Sequence, residues 1–195
     1  MPVFFAPDYL SAGILDNRIC LQPELLDLKM KRPVDEMQDY TAGYMGLVSD
    51  DVLGLLAGQL FAYPELLLSL NGKGDYRYAP GKWTVAQIAR HIIDTERILA
   101  YRLLCFVRCE MQALPGFDQD DYMEALSGVE ETLQDLAEEF EAVRTANMFL
   151  FNTLSEKDLD KEGISSGKKR SARALLFTIA GHLEHHRKIL NERYA

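Results

Sequence analysis

Cysteine is scarce in this chain: Cys20, Cys105 and Cys109 are the only three in 195 residues. The odd count argues against a disulfide framework. Cys105 and Cys109 sit four apart in an apolar run, where helical geometry brings no clean bridge, so all three are expected to be reduced core thiols of a cytoplasmic protein. Long hydrophobic runs are missing too. No stretch reaches the ~20 uninterrupted apolar residues needed to cross a bilayer. The opening "MPVFFAPDYLSAG" lacks a basic n-region and a proper h-region, and prolines interrupt it, so no signal peptide is expected.

Positive charge is also in deficit. The formal net charge is −9, from 30 acidic and 21 basic residues. The only dense basic run, Lys168-Lys169-Arg170, falls in a Gly/Ser-rich stretch that reads as a solvated loop. Nucleic-acid binders draw most of their affinity from a basic patch that neutralises phosphates. Neither nucleic acid nor a membrane surface is therefore an expected partner. Period-2 alternation never lasts long enough to suggest a sheet, and there is no internal repeat or low-complexity tract.

What remains is helical periodicity in a chain of ordinary globular composition, 48% hydrophobic and 26% charged. Its length suits one domain with a substantial core. Four segments stand out. The first runs from about Asp50 to Leu70, with Ser49-Asp50 available as N-cap and Pro64 expected to kink or split it. A Gly/Pro/Asn loop, "NGKGDYRYAPGK", follows. The second runs from Thr84 to about Glu110 and opens on a capping box of Thr84 and Gln87; "ALPGFDQDD" ends it. The third, about Val129 to Leu154, carries an acidic stripe that reads as a solvated face. The segment "SEKDLDKEGISSGKKR" is expected to be a loop, and the fourth helix spans Ser171 to about Arg193. The fold class is therefore all-α, a four-helix bundle. Residues 1–40 form an N-terminal extension, irregular or short-helical, and 41–195 the bundle domain.

Three of the four histidines lie in "GHLEHH", residues 181–186, and the fourth is His91. His182 and His186, four apart, share one helix face and can grip one metal ion, as the two histidines of HExxH zinc helices do. The metalloprotease reading ends there, because position 183 is Leu where the catalytic Glu would stand. Glu184 is expected to face outward and pair with Lys188. His91 sits mid-helix in an apolar run, the usual setting of a hydrogen-bonded core histidine. Next to an i,i+4 pair on another bundle helix it could equally complete an open three-histidine site, and both readings stand. His185 points off that direction and reads as a surface or supporting residue. The Glu-x-x-His pairs of di-iron bundles are absent.

The segments "YRYAPGKWTVAQIARHIIDTERILAYRLL", "LPGFDQDDY" and "RALLFTIAGHLEHHRKILNERY" closely resemble the DinB/YfiT-like superfamily of metalloenzymes. The resemblance covers roughly residues 40–195, and its most specific parts are Lys-Trp-Thr before His91 and the Gly-His-x-x-His-His block. It implies an up-down-down-up four-helix bundle, often a homodimer. It also implies a divalent metal, zinc or nickel first and iron or manganese as alternatives, held by His91, His182 and His186. Relatives of this kind include thiol S-transferases that use bacillithiol, glutathione-like or mycothiol cosubstrates, and mycothiol-dependent isomerases.

On that reading a small-molecule thiol and an electrophilic substrate are the expected partners, with the ion lowering the thiol pKa. Activation of water by the same ion would give a hydrolase instead. A non-catalytic dimeric bundle holding a structural ion, or none, is the contrasting class. Asp94, one turn after His91, could orient an imidazole or relay a proton, or simply pair with Arg90 or Arg97. Glu96 points away from His91. Trp83 reads as a packing anchor or a residue at the pocket mouth. Tyr101 and Arg102 lie roughly 15 Å along the helix from His91, too far to touch the metal. Gly181 would allow close helix packing beside the site.

Overall fold

All four expected segments become long helices in the computed structural model, which describes residues 30–33, 40–126 and 128–195. The expected extension, with Cys20, therefore lies almost wholly outside the described residues, although Met30 is buried in the core. In chain order the elements are α1 (Tyr40–Met45), α2 (Val52–Ser69), α3 (Val85–Val107), α4 (Gln119–Ala125), α5 (Leu133–Phe151), α6 (Glu156–Leu159), β1 (Glu162–Ser165), β2 (Lys168–Ser171) and α7 (Ala172–Arg193).

Each long helix starts where a side chain captures a free backbone N–H. Asp51 rather than Ser49 or Asp50 caps α2, accepting from Gly54 N at 3.0 Å. Thr84 and Gln87 form the expected capping box on α3. Thr132 takes the N–H of Asp135, which starts α5 later than the apolar pattern suggested. Ser171 caps α7 through Ala174 N. Pro64 does not split α2, because Leu60, Tyr63 and Leu67 around it are buried and hold the helix against its neighbours. By length and composition alone α2 could cross a bilayer (18 residues, mean hydropathy 1.4), but its Leu53, Leu56, Leu60 and Leu67 lie in the core.

Side-chain partners set the directions of the helices. Arg90 and Glu96 of α3 meet Glu139 and Arg144 of α5 in the same order, so these two run parallel. Leu56 and Tyr63 of α2 meet Arg144 and Phe140 in reverse order, so α2 is antiparallel to α5. Tyr194, just beyond α7, donates to the Trp83 carbonyl at the start of α3, which makes α3 and α7 antiparallel. The bundle is up-down-down-up. Because α3 and α5 point the same way, residues 108–132 must travel back along the bundle, carrying α4 with them.

The connection from α5 to α7 departs from expectation. The stretch read as a loop after α5 contains α6, capped by a Ser155–Asp158 box, and the β1–β2 hairpin. Ser166 and Gly167 both have positive φ, 50° and 72°, the signature of a two-residue type I′ turn. The charged four-residue arms carry too little apolar alternation to announce strands. Lys168 and Lys169 are exposed, but Arg170 is buried in β2, so the basic run is no simple solvated loop. The two described cysteines are free, as expected, yet they are not core thiols: Cys105 is half-buried and Cys109 exposed. Cys109 ends α3 with φ 62°, which turns it out of the helix.

The apolar core falls into two clusters, one at each end of the bundle. Between them lies Arg144, fully buried. Its guanidinium donates to both Glu96 carboxylate oxygens at 2.7 and 2.8 Å, to the Leu56 carbonyl at 2.9 Å and to Gln59 Oε1 at 2.9 Å. Gln59 passes the network to α7 by donating to Ala180 O and Glu184 Oε1, each at 2.9 Å. All four long helices are joined. Removing one partner of a buried ion pair strands the other, so Arg144→Met should lose about 3–5 kcal/mol in denaturant unfolding. Replacing Gln59 and Glu96 by Leu in the same chain should recover most of that loss. A single-mutant loss below about 1 kcal/mol would sink this assignment.

The acidic stripe of α5 is not merely solvated. Glu131 and Glu139 both accept from Arg90, and Glu139 also pairs with Arg97 at 2.6 Å. The Arg90 hydrogen bond, helped by Arg97, holds the Glu139 carboxyl at about 2, below its ordinary 4.5. A depressed folded-state pKa stabilises the fold above the unfolded value and is lost as pH falls through the folded one. Glu139→Gln should thus be less stable than wild type near neutrality. The difference should close between pH 4.5 and 2 in a pH series of unfolding midpoints.

Candidate metal centre

His91 lies two turns into α3, and His182 and His186 occupy consecutive turns of the antiparallel α7. The buried polar layer positions both helices here. Glu96 anchors α3 five residues after His91, and Ala180 and Glu184 anchor α7 on either side of His182. The result is convergence. His182 Nε2 stands 2.9 Å from His91 Nε2 and 3.1 Å from His186 Nε2, and the three form a group able to hold a metal ion.

Hydrogen bonds among the rings do not account for this arrangement. A neutral imidazole nitrogen carries one proton or one lone pair, so His182 Nε2 cannot serve both neighbours with good geometry. One cation would accept all three lone pairs. Two nitrogens ~2.0–2.1 Å from the same ion, ~90–100° apart, are separated by about the distances seen. The lone pairs are available: burial pushes the His91 imidazolium down to about 4. Burial, then the neighbouring histidines, puts His186 at about 3 and His182 well below the usual range. The residues present fit a divalent ion.

The surroundings hold the rings in place. Thr95 Oγ1 sits 3.5 Å from His91 Nδ1, one turn along α3. Trp83 packs its ring 4.9 Å from that of His91. Tyr44 of α1 stands edge-on to His182 at 5.4 Å and near His185 at 5.2 Å. His185 stays outside the three-nitrogen group. Gly181 brings α1 this close, because a Cβ there would sit 2.1 Å from the Tyr44 carbonyl oxygen.

The other candidate residues have partners of their own, Asp94 and Glu96 as one of their readings anticipated and Glu184 contrary to expectation. Asp94 faces Arg90 and Arg97 at 3.5 and 3.6 Å, while Thr95 stands at the imidazole. Glu96 belongs to Arg144. Glu184 does not face outward to Lys188: its carboxylate accepts from Gln59 and from Arg187 at 2.7 Å, and Lys188 pairs with Glu192. The reason is that α2 packs against this side of α7, a neighbour that helical spacing alone does not reveal.

A pocket of about 490 Å³ opens on His91 and His182. Thr95, Leu99 and Thr178 form its walls, and the crossover residues Gly116 to Asp120 cover it. Arg102 lines the same pocket, donating to Pro115 O at 2.6 Å and Ser166 Oγ at 3.1 Å. Its distance from His91 along α3 is thus the length of the pocket rather than a separation from it. Tyr101 points to solvent. Thr95 could have been found at i+4 from His91, whereas nothing local in the sequence singles out Tyr44 or the crossover.

The DinB superfamily profile matches residues 63–190, well over half of the chain and including all three histidines. The chain belongs to the DinB superfamily. A solved structure, described as "YfiT from Bacillus subtilis is a probable metal-dependent hydrolase with an unusual four-helix bundle topology", aligns with a TM-score of 0.61. The alignment covers 73% of this chain and 83% of YfiT at 16% identity, a likeness of fold. No curated protein sequence matches the chain. In this DinB bundle, Gly181→Ala should destabilise by about 1–3 kcal/mol through overpacking against α1. It should also weaken zinc binding, as read by calorimetric titration, since Tyr44 must withdraw from His182. Unchanged stability and affinity would show that the close approach of α1 is immaterial.

Proposed function

We propose that this DinB protein is a divalent-metal-dependent thiol S-transferase, with His91, His182 and His186 as the protein ligands. The convergence of three neutral imidazoles, two of them lining an organic-sized pocket, carries the reading. A fourth protein ligand or a sealed site would mark a structural ion, whereas a pocket against two of the ligands leaves room for a substrate. Zinc or nickel suits three imidazoles best, with iron or manganese as alternatives.

The carboxylates around the ligands on α3 and α7 favour a thiol over water. Asp94, Glu96 and Glu184 are all engaged with arginine or glutamine, so none stands at an imidazole as a ready base. A bound divalent ion would lower the pKa of the attacking group. A thiol near 8.5 needs a far smaller shift than water at 15.7. His91, His182 and His186 would hold the ion that binds the thiol, Thr95 supports His91, and the crossover covers the pocket in which the thiol sits. The sulfur then bonds to the electrophilic carbon, the leaving group departs with its electron pair, and the thiol proton passes to solvent.

Hydrolysis is the second reading, favoured by the likeness to YfiT. Its base would be Asp120, at the pocket rim, since Asp118 caps α4. Metal analysis of untagged protein, followed by electrophile consumption with and without added thiol, separates the readings. About one ion per wild-type chain is expected, with at least a tenfold weaker affinity in His182→Ala. Turnover should require the thiol. Equal turnover without it means hydrolysis, and the absence of stoichiometric metal in wild type and after reconstitution removes both.

A further inference from the structure

A second chamber, of about 240 Å³, reaches the same centre from the other side. Tyr78, Trp83, Ile88, Ile189 and Tyr194 wall it, and His186 faces it, whereas His91 and His182 face the larger pocket. Gln119 and Asp120 at the start of α4 line both, so the two pockets adjoin at the crossover.

This chamber is built rather than incidental. Tyr78 and Tyr76 stand edge-on to Tyr194 at 5.2 and 5.9 Å, and the Tyr194 hydroxyl donates to Trp83 O at 2.7 Å. The loop that carries the tyrosines is tied down: Val85 N donates to Tyr76 O, Ala86 N to Gly74 O and Lys73 Nζ to Tyr194 O. Even so, Tyr76 and Tyr78 remain 47% and 38% exposed. Tyr78 on the chamber wall, exposed although held rigidly near His186, with Tyr76 exposed just outside it, points to a ligand.

We propose that this chamber is the subsite for the second substrate and takes a planar aromatic group, holding it on the His186 side of the centre. It rests on the two-substrate reading above. Aromatic walls favour edge-to-face and offset contacts with a flat ring. The chamber opens to solvent, and its volume of about 240 Å³ leaves room for a substituted ring to lie against the wall. The thiol occupies the larger pocket, and the two reactants meet at the three histidines.

Trp83 is the only tryptophan in the chain, so its emission reports on the chamber directly. The probe is 4-nitrobenzyl alcohol, a neutral nitroaromatic quencher, titrated into metal-free and zinc-loaded protein. Saturable quenching is expected in both. Tyr78→Ala and, independently, Ile189→Gln should weaken binding by at least about fivefold, the scale of one lost aromatic contact. Phe117→Ala, confined to the larger pocket, should stay within about twofold of wild type. Cyclohexylmethanol, similar in size but not flat, should compete at least about fivefold more weakly than benzyl alcohol. Linear quenching without saturation overturns the proposal, as does wild-type affinity in both chamber variants, or loss in Phe117→Ala alone. Quenching in metal-free protein tests the subsite by itself, so its failure leaves metal-dependent thiol transfer standing. Thiol-independent turnover with quenching intact defeats only the transferase reading.

Discussion

A single buried guanidinium organises this molecule. Arg144 has no exposed surface, and a charge in that position is tolerable only with its hydrogen bonds met. Glu96, Gln59 and the Leu56 carbonyl meet them from α3 and α2, and Gln59 extends the network to α7. Apolar packing is non-directional and lets helices slide past one another, whereas these contacts are made only at one register. The register matters because the same turns of α3 and α7 carry the histidines.

The candidate metal centre is accordingly a product of burial and alignment together. Burial keeps the imidazoles neutral, and alignment brings three nitrogens to one point. The carboxylates near the histidines on α3 and α7 are drawn away: Asp94 to the arginines on the α5 side, Glu96 to Arg144, Glu184 to Gln59 and Arg187. The three imidazoles are thereby left without a carboxylate partner among these residues.

The pocket follows from the topology. Parallel α3 and α5 require a connection that travels back along the bundle, and residues 108–132 make that journey across the face where the histidines lie. The hairpin pins it at Leu114, which donates to Ile164 O at 2.8 Å and accepts from Ser166 N at 3.1 Å. Arg102 holds it further on through Pro115. One strap of chain therefore roofs the larger pocket and, at Gln119 and Asp120, also lines the aromatic chamber.

The four helices, the Thr84–Gln87 capping box and the shared face of His182 and His186 were legible in the sequence, because a capping box and i,i+4 geometry are local properties. Resemblance to the DinB/YfiT-like superfamily singled out His91 and supplied the bundle topology. Tertiary structure alone decided the rest. Glu184 turned inward because α2 stands opposite it, the acidic stripe of α5 found Arg90, and Arg102 became a pocket wall. Periodicity tells which side of a helix a residue occupies, but not which neighbour faces that side. Glu96 and Arg144 are 48 residues apart and Gln59 and Glu184 are 125 apart, and only packing brings such pairs together.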